Sequence, residues 1–246
     1  MTQSDHDEMC RRIRLLATQH HGTPEVRYLF DTRFTPERAK CWTINQAHFV
    51  RNRRDCWALA MGQAPLDVKR EIWLHEQDEL IGDPRAGGED HFTLTTKEAE
   101  LLGVTKEEMA RSEPHPFVAA ALEAWLHLGK QAWLESFAAV SMVEAINSNA
   151  IISTGGFSSR ARERLIADLG IAPELLINRN VHVAADQEHA LLLEKVLRRH
   201  VRSQGERDLV MDALRKTLVI DRAYRAGLAF AMNQIPLDVD TTRARA

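Results

Sequence analysis

Between Asn178 and Arg199 the chain carries His182, Asp186 and His189, an i, i+4, i+7 spacing. On an α-helix those positions fall on one face. Neutral imidazole and carboxylate oxygen are ligands that suit iron, manganese and zinc, so one rigid element would supply half of a metal site. Val181, Val183 and Ala185 precede or interleave with the three residues, and Ala190, Leu193 and Val196 follow at helical spacing. The His/Asp face therefore abuts the apolar face of the helix, not the face of Glu194, Arg198 and Arg199. Burying an unpaired carboxylate is costly, and a bound cation offsets that cost. The alternative is a solvent-facing helix on which the three residues have no joint role.

Two other regions offer ligands. Glu144 stands inside the apolar run from Phe137 to Ile152. Glutamate is rarely fully buried unless paired, so Glu144 reads as a ligand from a second helix. Against that, it could edge a polar stripe with Ser141, Asn147 and Ser148. The third region is His75-Glu76-Gln77-Asp78-Glu79-Leu80-Ile81-Gly82, followed by Glu89-Asp90-His91-Phe92. Glu71, His75 and Glu79 share a helical face, and Glu79 and His91 flank a loop across which they could converge. Spacing alone does not choose among these groups, and a solvated acidic helix end would suit any one of them.

The elements that must position these residues read as almost entirely helical. Candidate helices cover roughly 6–20, 35–61, 66–81, 95–111 in two pieces, 115–149 divided near Gly129, 158–169, 180–203 and 205–232, from apolar periodicity and capping residues. Thr35 with Pro36 opens one helix, and Gly82-Asp83-Pro84 closes another. Alternating strand patterns are nearly absent. The expectation is an all-α fold: one domain over residues 1–246, a bundle of about seven or eight helices, with a loose tail at about 238–246. Bundles of this kind place metals between facing helices.

Composition excludes several functions. The 246 residues are 44% apolar and 27% charged, ordinary for a globular chain. A net charge of −3 gives no electrostatic footprint for nucleic acid, and Arg51, Arg53 and Arg54 read as a solvated helix face. No apolar run approaches the roughly 18 residues of a membrane span. The start lacks the order of a secretory signal. Cys10, Cys41 and Cys56 have no metal-like spacing and read as reduced thiols, which fits the cytoplasm. No phosphate-binding glycine loop, nucleophile elbow or Cys-x-x-Cys is present.

The order Asp78-Glu79 before a glycine, then His91, then Glu144, then His182-x-x-x-Asp186-x-x-His189 resembles the haem-oxygenase-like diiron oxidases. These share a helical superfamily with the cofactor-biosynthesis oxidase of the pyrroloquinoline quinone pathway and the thiamin-salvage proteins. The resemblance spans about Phe34 to Pro236, and the His/Asp/His helix is its most specific element. It implies a haem-oxygenase-like helical bundle and six ligands: Glu79, His91, Glu144, His182, Asp186 and His189. It also implies two Fe(II) ions, or manganese in their place, with O2 as co-substrate. Three carboxylates against two divalent ions leave a small positive charge. Without metal the carboxylates should repel in a poorly solvated core and their pKa values should rise, and metal should stabilise the fold.

The resemblance further implies oxidation of a small external substrate by N-oxygenation or oxidative C–C cleavage, with an amino acid or another amine or carboxylate metabolite as the expected class. Members that consume an internal tyrosine use a nearby lysine. Here Tyr28 could match the tyrosine, but no lysine lies between Lys130 and Lys195. Arg160, Arg162, Arg222 and Arg225 could hold a substrate carboxylate, although surface positions are commoner for arginine. The expected partner is a small molecule, with no nucleic acid and no membrane. A homodimer is the commonest symmetric assembly. Two alternatives remain open: a metal-free cofactor-biosynthesis enzyme of the same superfamily, and a non-catalytic helical binding protein.

Overall fold

The computed structural model describes residues 1–237 and, for residues 186–188, the backbone alone. Eleven α-helices are present among the described residues. They are α1 (Gln3–His21), α2 (Pro24–Asp31), α3 (Pro36–Gln63), α4 (Leu66–Leu80), α5 (His91–Leu101), α6 (Lys106–Arg111), α7 (Pro116–Gly129), α8 (Trp133–Asn147), α9 (Phe157–Leu169), α10 (Ile177–His200) and α11 (Gln204–Asn233). The only β-pairing among the described residues is an isolated bridge between Asp83 and Glu89. The all-α expectation holds, but the count exceeds seven or eight. The 95–111 and 115–149 segments each resolve into two helices, as read. The unanticipated element is α2, whose buried Val26, Leu29 and Phe30 make a stripe too short to stand out as a period. The expected loose tail, 238–246, lies outside the described residues.

Helix α8 sets the centre. Every residue from Leu134 to Ile146 is buried, so this helix has no solvent face, as befits a core helix. Helices α3, α7, α10 and α11 pack around it. Full burial of each large apolar side chain contributes about 1.5–3 kcal/mol. Phe137, Val140, Met142, Val143 and Ile146 together therefore outweigh the several kcal/mol that one ionised carboxylate costs on leaving water. That margin lets α8 carry Glu144 into the interior.

Local chemistry fixes the neighbouring elements. Thr35 caps α3 by accepting from the Arg38 amide, and Pro36 occupies the first turn, where its missing N–H costs nothing. Asp90 caps α5 through the Thr93 amide at 2.9 Å, which makes His91 the first residue of that helix. The connection from α4 to α5 folds tightly on itself: a Cβ at position 82 would lie 2.3 Å from the Gly88 carbonyl oxygen, so only glycine fits. Gly156 meets a similar limit, its missing Cβ falling 1.8 Å from the Asn147 carbonyl oxygen where α8 ends and α9 begins. Asp221 of α11 accepts from His20 of α1 at 2.6 Å and pairs with Arg225 at 3.1 Å, which ties the first and last helices together.

These contacts give a stability prediction. Gly156→Ala forces backbone apart and should cost more than about 2 kcal/mol. Gly62→Ala, on α3 with nothing within 4 Å of the new methyl, should stabilise by up to about 1 kcal/mol through helix propensity. Urea unfolding of both variants checks this; equal effects would contradict the close approach of α8 and α9.

Candidate metal centre

Helices α4, α5, α8 and α10 converge on a cluster of imidazoles and carboxylates. His75, Glu76 and Glu79 come from α4, His91 from the start of α5, Glu144 from α8, and His182 and His189 from α10. Two groups of three ligand atoms form. Glu79, His91 and His182 make one, and His75, Glu144 and His189 the other, with the atoms of each group within 4.8 Å of one another. Donors about 2.1 Å from a common ion lie at most about 4.2 Å apart, so little closure is needed to hold one. Ring centroids of His75 and His189 are 4.1 Å apart, and those of His91 and His182 are 4.4 Å apart. Glu79 links the groups, since its Oε1 lies 3.0 Å from His91 Nδ1 and 3.8 Å from His189 Nδ1.

The hydrogen bonds around the rings select their tautomers. His182 Nδ1 donates to the Asn178 carbonyl at 2.8 Å. His75 Nδ1 donates to Glu76 Oε1 at 2.9 Å, and His91 Nε2 donates to Asp83 Oδ2 at 2.9 Å. Each bond commits one ring nitrogen as a donor and leaves the other for the cluster. Carboxylate or carbonyl partners of this kind orient metal-binding imidazoles. Of the remaining nitrogens, His91 Nδ1 faces Glu79 Oε1 at 3.0 Å, while His75 Nε2 and His189 Nδ1 are buried without a hydrogen-bond partner among the described residues. Buried polar atoms are normally satisfied, so two unsatisfied nitrogens converging beside carboxylates match a cation-binding donor set. The Trp57 indole donates weakly to Glu144 Oε1 at 3.4 Å and lies against the His75 ring.

Of the six residues the resemblance implies, Glu79, His91 and His182 fall in one group and Glu144 and His189 in the other. The side chain of Asp186 lies outside the described residues. Four partners were not read as part of the site. His75 was visible as a member of the Glu71/His75/Glu79 face; Glu71 instead turns outward to Lys195 at 2.7 Å. Asp83 was read only as a turn residue closing α4, yet it is fully buried beneath His91. Arg53 and Arg54 were read as a solvated face; Arg53 is buried and Arg54 part-buried. Arg54 Nη1 lies 2.7 Å from Glu76 and 3.1 Å from Glu79. Helix α3 packs on neighbours on several sides and keeps Arg51 and Asp55 exposed, so only part of the arginine run turns to solvent. Tyr28 stays half-exposed in a surface groove with Phe117 and Phe230, away from the cluster.

Electrostatics correct a further expectation. Glu79 is held well below the usual carboxylate range: burial pushes it up, but Arg54 and His91 together pull it further down. The expected rise fails here because cations, not only carboxylates, were buried. Burial alone would depress His91, but Glu79 and Asp83 outweigh it and raise His91 to about 9. Burial, reinforced by the His91 charge, drops His182 to about 3. Burial likewise takes His189 well below its ordinary value, with His75 adding to the effect. Without a metal near neutral pH, His91 is thus protonated, while His182 and His189 are neutral. A cation held there would need the His91 Nδ1 lone pair, so its uptake would release that proton.

The sign for metal-free stability follows from linkage. A raised folded-state pKa on His91 contributes stability that is complete below its ordinary value of 6.5 and is lost as pH rises through about 9. The loss should reach up to about 3 kcal/mol. Urea unfolding of chelator-treated protein should show this decline between pH 6.5 and pH 9. In His91→Gln the decline should vanish; an equal decline in the variant would remove His91 as its source.

No family model matches the chain, and no curated protein matches it in sequence. Solved structures do. A CADD-like protein of unknown function from Nostoc punctiforme PCC 73102 superposes with a TM-score of 0.72 at 16% identity, covering 92% of this chain and 98% of its own. A domain of unknown function with a haem-oxygenase-like fold from Shewanella denitrificans OS217 gives a TM-score of 0.68 at 12% identity, covering 93% and 90%. A TenA family transcription regulator from Silicibacter sp. TM1040 gives 0.60 at 14% identity, covering 89% and 96%. The helical bundle that assembles this cluster is therefore a haem-oxygenase-like fold.

Proposed function

We propose that the chain is a non-haem dimetal oxidase or oxygenase that uses O2 to oxidise a small external amine or carboxylate metabolite. The observation that carries this reading is the pair of His/Glu groups, buried except for the part-buried His182, with ring nitrogens on His75 and His189 that have no partner among the described residues. Glu79, His91 and His182 would hold one ion, and His75, Glu144 and His189 the other. Asp186 joins the ligand set through the sequence resemblance. Two ferrous ions held there would supply electrons to O2; manganese fits the same donors.

The chain's own residues do the rest. Asp83, Glu76 and the Asn178 carbonyl hold three imidazoles in their ligating tautomers. Arg54 holds Glu76 and Glu79 in place, so the carboxylates need not rearrange when an ion enters, and such preorganisation is worth a good deal in a dry site. Access from solvent lies between α4 and α10, where a cavity of about 350 Å³ is lined by Leu74, His75, His189 and Leu192 among others. That volume falls within the usual range for small-molecule sites.

Arg54 also supports a second reading. By neutralising Glu79 it lets the cluster exist without metal, which is what a metal-free acid–base enzyme of this fold would require. Metal analysis separates the two. Anaerobic Fe(II) loading should leave about two irons per chain, the stoichiometry of a bundle-core dimetal site. Admission of O2 should give a transient visible absorption, and both signals should be lost in Glu79→Ala and Asp186→Ala. His75→Ala should lower the stoichiometry towards one. Absence of iron uptake in the native chain would leave the metal-free reading standing.

A further inference from the structure

A second cavity, of about 40 Å³, adjoins the cluster between α3, α8 and α10, with Arg53, Glu144, Asn147 and His182 in its wall. Arg53 is 2% exposed. Its Nη2 donates to the Val140 carbonyl at 2.5 Å, and the nearest carboxylate oxygen, on Glu144, is 3.7 Å away, beyond hydrogen-bond reach. Its Nε and Nη1 have no partner among the described residues. The other buried guanidiniums have their forks occupied: Arg179 by Glu98 through both carboxylate oxygens, Arg225 by Asp221, and Arg38 by the Arg33 and Ile235 carbonyls through Nε, Nη1 and Nη2.

A guanidinium presents five N–H donors in a rigid fork that fits a carboxylate, and leaving such donors buried and unpaired is costly. Among the described residues, the carboxylate paired with Arg53 is Glu144, itself a candidate metal ligand. An ion held by Glu144 would draw on the same negative charge and leave Arg53 under-compensated. We propose that this cavity is a carboxylate subsite in which Arg53 anchors a small acid, with metal on Glu144 strengthening the binding; the metal coupling rests on the dimetal reading above. The volume admits little more than a headgroup, since about 30 Å³ is one water's share of liquid. The shared chemistry is one carboxylate, whether on an organic substrate or on a free one-carbon anion.

The test is calorimetric titration of propionate, formate and propionamide into Mn(II)-loaded protein, with manganese content measured on the same samples. Propionate or formate should bind at least tenfold more tightly than propionamide, a comparison that needs no variant. Tighter propionate assigns the subsite to an organic acid, and tighter formate to a free anion. Arg53→Gln should weaken the acid at least tenfold at unchanged manganese content, and Arg53→Lys should recover part of the loss. Acid binding unchanged in a manganese-replete Arg53→Gln protein, or no preference for acid over amide, overturns the subsite. If the native chain takes up no manganese, the dimetal reading fails by itself. The same titration on metal-free protein then decides the subsite: Arg53-dependent binding keeps it, and its absence overturns it.

Discussion

The constraint on which this structure depends is compensation of charge in a core with little water. Glu76, Glu79, Asp83 and Glu144 are all buried, and each ionised carboxylate costs several kcal/mol unless it is paired and hydrogen-bonded. The chain meets that cost in two ways. Arg54 and protonated His91 sit directly against Glu79, and Arg85 and His91 sit against Asp83. Among the described residues, Glu144 has a weak indole contact and a distant guanidinium. Compensation is therefore strong around Glu79 and thin around Glu144. A cation bound between Glu144, His75 and His189 would correct the larger shortfall.

Placement on rigid elements makes this balance usable. Six of the seven clustered side chains sit within helices α4, α8 and α10, and the seventh, His91, is the first residue of α5. Helix α8 is held on every side, and α4 and α5 are joined by a loop so close-packed that Gly82 admits no side chain. That loop buries Asp83 and aims it at His91. The imidazoles are thus oriented by groups outside the cluster, the arrangement that ligand sites need to hold geometry as ions enter and leave.

Much of the architecture was legible in the sequence because helix signals are local. Thr35-Pro36, Gly82-Asp83-Pro84 and the i, i+4, i+7 spacing of His182, Asp186 and His189 each depend on a few neighbouring residues. Glu144 announced itself by being charged inside an apolar run. Asp83, Arg53 and Arg54 were misread for one reason: their burial is decided by which other helices pack over them, and local pattern carries no record of that. An arginine pair on a helix reads as solvated unless that helix is known to be central. His75 is an intermediate case, since its helical register with Glu79 was visible but its meeting with Glu144 and His189 required the tertiary fold. The short α2 was lost for want of length.

The most direct test of the central claim is diffraction from crystals grown anaerobically with Fe(II), measured on both sides of the iron absorption edge. The account predicts two anomalous peaks, one among Glu79, His91 and His182 and the other among His75, Glu144 and His189. Their disappearance below the edge would identify iron. A cluster region with no anomalous density, in crystals whose protein was shown to be folded and exposed to excess iron, would contradict the account.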